Sequence, residues 1–258
     1  MRRPVSIRAG ARTFVLAIGL VVIAGCGTPA PVVRPGERPA EMPTSARPEG
    51  RAVPAAGTVS PKVYEEFRGR FRARAKTEYA MVEGALAPLE EFADLNAVQT
   101  FLQPRLDPTM RARYPHISAA ETEASARVTE ELVNVSVIAY IHAVKHEHGP
   151  PGDNDFHVML GSSPTSGDGF FLTAEASALP AYGDNRELLA DARQRLLSII
   201  GECRCDGRFM QVLPPIKVRV VGSLFFDAAH GIASVGPRYA KPFTVWEIHP
   251  ILSIERLD

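Results

Sequence analysis

The C-terminal half of this 258-residue chain reads as an α+β domain: five strands with one helix between the third and the fourth, preceded by a short helical segment. Three observations lead there. From about Val128 the apolar residues recur with a period of two instead of 3.6, the spacing of strands that bury one face. Turn clusters at residues 149–154 and 161–169 cut that stretch into strand-length pieces. One amphipathic run with a start and a stop, residues 184–201, interrupts the alternation. The composition can build such a core: 45% of residues are hydrophobic and 22% charged, which excludes a wholly disordered, collagen-like or polytopic membrane protein.

Taken in order, the chain opens on Arg2, Arg3, Arg8 and Arg12 without an acid, then an apolar run from Phe14 to Ala24, then Gly25-Cys26. A positive start, a short apolar stretch and small residues at the cut are the layout of a secretory signal. The apolar run has 11 residues, whereas about 20 are needed to cross a bilayer, so a cleaved signal is expected over residues 1–25. Ile23-Ala24-Gly25-Cys26 resembles the lipobox of bacterial lipoproteins. That resemblance implies diacylation of the Cys26 thiol, cleavage before it and acylation of the new amino terminus. Two or three chains hold a protein stably where one holds it only reversibly. Gly27 after the cysteine favours the outer membrane, on its periplasmic side, by analogy with Gram-negative sorting.

Lys+Arg and Asp+Glu both number 29, so there is no global basic field of the kind nucleic-acid binders carry. Loss of residues 1–25 removes four Arg and no acid, leaving 25 basic against 29 acidic residues, a net −4. Residues 26–59 hold Pro29, Pro31, Pro35, Pro39, Pro43, Pro48 and Pro54 and almost no large apolar side chain. Such a segment cannot bury enough surface to offset its ordering entropy. It reads as a disordered spacer between membrane and domain, with proline favouring extension at ~3.1 Å per residue.

Residues 60–127 read as a helical neck. Ser60-Pro61 is a cap followed by proline at the first helical position, and Tyr64, Phe67, Phe71 and Ala75 follow at helical spacing among Arg68, Arg70, Arg72, Arg74 and Lys76. A second helix is expected over Leu95 to Leu102, then turns at Pro104, Pro108 and Pro115, and a capping box at Ser118–Glu121 opening a further short helix.

Residues 128–258 supply the strands: Val133 to Val144, Asp155 to Leu160, Phe170 to Ala178, Ile216 to Phe226 and Thr244 to Leu257. The helix between the third and fourth has Asp184 as cap, Leu188, Leu189, Ala192, Leu196, Ile199 and Ile200 as its apolar face, and Gly201 as stop. This order resembles the OB-fold, a small closed five-stranded β-barrel with its helix between strands three and four. The Asp155-Phe156-His157 strand and the Glu247-Ile248-His249-Pro250 ending also resemble a group of uncharacterised bacterial proteins, a likeness that implies no activity.

Alternation places Asp155, His157 and Met159 on one face of strand two, and Val245, Glu247, His249 and Ile251 on one face of strand five. With both strands expected to flank strand one, which carries His142, the two acid-x-His pairs would meet on the barrel surface. Imidazole with carboxylate suits Zn²⁺, Mn²⁺ or Fe²⁺, and a bound ion can activate water for hydrolysis. Asp155, His157, Glu247 and His249, with His230 and its neighbour Asp227, are thus the candidate metal ligands. His146 and His148, in the loop after strand one, are further candidates. Cys203-Arg204-Cys205 supplies a candidate disulfide for an oxidising compartment.

Nothing points to nucleotide or acyl chemistry, since the phosphate loop, the dinucleotide fingerprint and the Gly-x-Ser-x-Gly elbow are all missing from the sequence. The strands carry few Lys or Arg, which argues against single-stranded nucleic acid. The sequence therefore leads to a lipid-anchored envelope protein presenting a barrel for binding envelope proteins or a small ligand, with no cofactor and no catalysis expected. The alternative is a metal-dependent hydrolase built on the Asp/His/Glu/His cluster, with a divalent transition metal as cofactor.

Overall fold

A computed structural model describes residues 60–118, 126–150, 152–165, 168–231 and 235–258. The signal, Cys26 and the proline-rich spacer lie outside the described residues, as does most of the capping box at Ser118–Glu121.

The expected helix from Ser60 does not form. Pro61–Tyr64 makes a single 3-10 turn, and the chain then runs extended. Phe67 N–H donates to Leu179 O at 2.8 Å, and Leu179 N–H donates to Glu65 O at 2.8 Å. Sheet-like pairing with a segment more than a hundred residues away overrides the local helical spacing. Only α1, Ala73–Thr77, is helical. A short hairpin follows, β1 (Met81–Val82) with β2 (Ala85–Leu86), then β3 (Leu89–Phe92).

Helix α2 spans Leu95–Leu102, the expected bounds. Asp94 caps it by accepting from Ala97 N–H at 3.0 Å, and Leu95, Val98 and Leu102 bury one face. Where turns were expected after Pro104, α3 forms over Asp107–Arg113. Pro108 lies in its first turn, where a missing N–H leaves no bond unmade.

The five remaining strands are β4 (Asn134–His146), β5 (Phe156–Gly161), β6 (Phe171–Ala176), β7 (Met210–Phe226) and β8 (Pro242–Arg256). Their order is β4-β5-β6-β8-β7, and β7 pairs back onto β4. The sheet closes as the OB-like barrel the sequence predicts, with β6 and β8 parallel and the other barrel pairs antiparallel. β3 adds a sixth strand, parallel to the start of β4. β7 begins six residues before the expected Ile216. Its pairing to β4 passes from Ile141↔Ile216 to Ala143↔Gln211, so Pro214 and Pro215 fall in the unpaired stretch, where no ladder N–H is required.

Helix α4, Arg186–Ile200, joins β6 to β7. Asp184 is not its cap: Asn185 holds that position and gives no side-chain bond. Gly201 stops the helix at φ +71, a conformation that costs glycine nothing. Leu189, Ala192 and Leu196 are buried, and α4 packs on β8 and β6. The core gathers Val135, Val137, Val158, Leu172, Val220 and Ile248 with Trp246 and Phe226, whose ring centroids are 5.4 Å apart.

A fully buried ion pair helps hold the segment before the barrel. Arg72 donates to both Glu131 oxygens, at 2.7 and 2.5 Å, and to Phe226 O at 3.2 Å. Glu131 also accepts from Val128 N–H and Phe226 N–H, each at 2.8 Å. Both side chains are fully buried. Removing one partner of such a pair leaves an uncompensated charge, so Glu131→Ala should cost about 3–5 kcal/mol. Arg74→Ala breaks an exposed i,i+4 pair with Glu78 and should cost below ~0.5 kcal/mol. Urea unfolding of both variants checks the contrast; equal midpoints would show that the pair does not anchor the segment.

Candidate functional site

The candidate residues lie on the outward side of the barrel strands. Phe156, Val158 and Leu160 of β5, Leu172, Ala174 and Ala176 of β6, and Ile248 of β8 enter the core, so His157, Thr173, Glu175, Glu247 and His249 lie on the opposite face. His157 pairs across from Glu175, and Thr173 pairs beside Glu247. One step further along the parallel pair, Glu175 comes beside His249. Strand two, β5, flanks strand one, β4, as expected, but strand five, β8, does not: it lies between β6 and β7, so β5 and β8 are both neighbours of β6. It is Glu175, on the strand between them, that brings the two acid-x-His pairs together. The sequence reading missed Glu175, although the signal was there: it is the lone ionisable residue of Phe171–Ala176, a strand buried along its whole length.

The expected face of β8 also needs correction. The pairing steps from Leu224↔Ile248 to Gly222↔Ile251, and this bulge turns Ile251 into the core instead of leaving it beside Glu247 and His249. Asp155 precedes β5 and is tied down separately, its Oδ1 accepting from Ala178 N–H at 2.6 Å.

His249 stands at the centre. Its Nδ1 lies 2.9 Å from Glu175 Oε2 and 3.5 Å from Glu247 Oε2, and its Nε2 lies 3.3 Å from Asp155 Oδ2. His157 Nδ1 is 3.0 Å from Glu175 Oε1. The cluster is on the outer face of the barrel, as expected, but it is not on the protein surface. Residues 72–80 cover it. The Arg72 guanidinium lies 4.8 Å above the Phe225 ring, Lys76 Nζ reaches Asp153 Oδ2 at 2.9 Å, and Ser177 Oγ donates to Lys76 O at 2.5 Å. Asp155, Glu175, Glu247 and His249 are each at most 1% exposed.

In that setting the charges set one another's protonation. Burial is the largest influence on His249 and disfavours its charge, yet Glu175, Asp155 and Glu247 outweigh it and raise its pKa well above the ordinary histidine value. Burial likewise opposes the Glu175 carboxylate, but His157, His249 and Lys76 hold its pKa well below the usual range. Burial and the nearby Glu175 push Glu247 up to about 8. Burial and Asp153 push Asp155 up to about 6. Lys76 is raised well above its usual value because Glu175, Asp153 and Asp155 prevail over its burial.

The remaining candidates lie elsewhere. His142 Nε2 is 2.8 Å from Ser163 O, and its ring meets Phe171 edge-on. His146 is not in a loop: it ends β4, fully buried and stacked on Phe156, with Nε2 2.6 Å from Glu65 and Nδ1 2.8 Å from Asp206. His148 is exposed, 3.6 Å from Glu65. Cys203 and Cys205 are disulfide-bonded with Cα atoms 5.2 Å apart. His230 Nδ1 bonds Asp227, outside the His249 group. It nevertheless helps line, with Lys145, Glu147, His157 and Glu247, an opening of about 60 Å³ at the edge of the cluster. A second, larger groove of about 490 Å³ lies away from the cluster, among Phe101, Arg105, Met110, Arg113, Glu130 and Val133. Comparison with family models, curated proteins and solved structures returned no match.

A pH dependence of stability follows. The bond to Asp227, aided by the charges of Glu247 and Glu175, raises His230 to about 9 against its burial. Its contribution is fully present below the unfolded value of ~6.5 and is lost as pH rises through about 9. The raised values of His249 and Glu247 carry the same sign. The chain should therefore lose stability between pH 6.5 and 9, and His230→Gln should make that slope shallower. Urea midpoints at pH 6, 7.5 and 9 measure it, and identical slopes would contradict the assignment.

Proposed function

We propose that the protein is an exported, lipid-anchored component of the bacterial cell envelope, held by acylated Cys26 and presenting the barrel as a binding module. Supporting the first half is the run of signals in the sequence: a positive start, an 11-residue apolar stretch, and Ile23-Ala24-Gly25-Cys26. No helix among the described residues is long and apolar enough to cross a membrane, so on this reading attachment falls to the acyl chains. The outer membrane, periplasmic side, is the favoured location. The observation that carries the binding half is the open groove of about 490 Å³. Its size is that of small-ligand sites, and it combines apolar Phe101, Met110 and Val133 with charged Arg105, Arg113 and Glu130.

Hydrolysis at the buried cluster is the less favoured reading. It needs space for a substrate beside the ion, and the opening there holds about 60 Å³, the room of a few water molecules.

Cys26→Ser should move the protein from the membrane fraction to the soluble exported fraction and abolish incorporation of labelled palmitate. A variant that stays in the membrane overturns the anchor. For the binding half, a photo-crosslinking residue placed at Thr109, exposed at the groove, should give a discrete adduct in cells that the same residue at Arg195, exposed on α4, does not. Equal patterns from the two positions overturn the groove as the binding surface.

A further inference from the structure

We propose that Asp155, Glu175 and His249 hold one divalent transition-metal ion beneath the residue 72–80 segment, with Glu247 beside them. The inference goes beyond the binding-module reading and depends on neither the anchor nor the groove.

Geometry comes first. Asp155, Glu175 and His249 each offer one donor atom within 4.8 Å of the other two, and all three residues are buried. Glu175 approaches Nδ1 of His249 at 2.9 Å and Asp155 approaches Nε2 at 3.3 Å. Donors placed about 2.1 Å from an ion at tetrahedral angles stand about 3.4 Å apart, so an ion on the Nε2 side needs the Glu175 carboxylate to swing across to it. A mixed imidazole and carboxylate donor set suits Zn²⁺, Mn²⁺ or Fe²⁺.

The second observation concerns unfilled bonding capacity. Asp155 Oδ2, Glu175 Oε2, Glu247 Oε2 and both ring nitrogens of His249 are buried without a hydrogen-bond partner of normal geometry among the described residues. Buried polar atoms normally find partners, and each one left without costs free energy. Here five such atoms converge on one place. They lie close enough to bond one another, yet their directions miss, as donors aimed at a shared central atom would. With Nε2 of His249 coordinating, Nδ1 keeps Glu247, 3.5 Å away, the kind of carboxylate support a ligating histidine usually has.

Charge points the same way. Glu175, Asp153, Asp155 and Asp227 surround the ammonium of Lys76, which is committed to Asp153. Of the guanidinium groups, Arg127 donates to the His249 carbonyl at 2.7 Å and Arg72 is bonded to Glu131. Protons on His249, His157 and Glu247 help to offset these carboxyl groups, and a bound dication can take the place of such protons. An opening of about 60 Å³ lies beside Glu247 and His157, at the edge of the proposed site.

The test uses the full chain, purified without a His-tag and without chelator, with metal content measured by mass spectrometry before and after zinc is offered. About one ion per chain is expected, with a higher melting temperature on loading and ligand-field bands when cobalt(II) is substituted. Glu175→Gln keeps the side chain's size and should weaken zinc binding at least ~100-fold, since even outer partners of a ligand cost 10–100-fold. His148→Ala touches the separate Glu65–His146–His148 group and should change nothing. Should His249→Ala fail to fold, Glu175→Gln and the cobalt spectrum still decide. A folded wild type that neither carries nor takes up metal overturns the proposal. So does Glu175→Gln binding as tightly as wild type, or His148→Ala losing the ion. Cys26→Ser should bind the same metal, so failure of the anchor and failure of the metal site are read separately.

Discussion

The Arg72–Glu131 pair is the constraint on which the site depends. The barrel alone would leave His157, Glu175, Glu247 and His249 on an outer face open to water, where each would titrate near its ordinary value. Arg72 reaches across that face into a pocket made by Glu131 and the carbonyl of Phe226. Fastened there, the chain runs directly over β8 as α1 and lowers Lys76 onto Asp153. Arg72 itself adopts a left-handed backbone at φ +48, a conformation that costs a non-glycine residue about 1–2 kcal/mol. The five N–H groups of a buried guanidinium can offset that only where acceptors are preplaced, as Glu131 is by its bonds to Val128 and Phe226.

Burial then changes what the cluster is. Ionic groups in contact at low dielectric cannot keep independent charges. Glu175, flanked by His157, His249 and Lys76, is held ionised, whereas burial and the facing Glu175 push Glu247 up to about 8, toward its protonated form. The same face and the same flanking loops are where OB-type barrels hold their ligands. In this chain that face is closed by its own preceding segment, with a small opening of about 60 Å³ beside Glu247 and His157.

The fold was legible where it follows from local geometry. A period of two marks strands wherever one face is buried, and that pattern located all five barrel strands to within a few residues, apart from the early start of β7. Helix α2 was legible to the residue because Leu95, Val98 and Leu102 repeat at the helical period, Asp94 caps it and Pro104 ends it. The stretch from Ser60 deceived for the same reason. Its aromatic spacing is helical, but its backbone bonds go to Leu179, and nothing in a local window records a partner so distant. Four members of the cluster, Asp155, His157, Glu247 and His249, were legible as acid-x-His pairs on strands.

What only the tertiary structure decided is which strands are neighbours and what covers them. Closing the barrel in the order β4-β5-β6-β8-β7 puts β6 between the two acid-x-His strands and so makes Glu175 the link. Arg72 and Glu131, 59 positions apart, and Lys76 and Asp153, 77 positions apart, meet only because the chain before the barrel folds back across it. Side-chain alternation is imposed residue by residue by the strand backbone, so sequence alone determines the faces wherever no bulge intervenes, as one does before Ile251. Adjacency between strands, and the burial that shifts every charge in the cluster, depend on closure of the whole sheet and therefore belong to the tertiary structure.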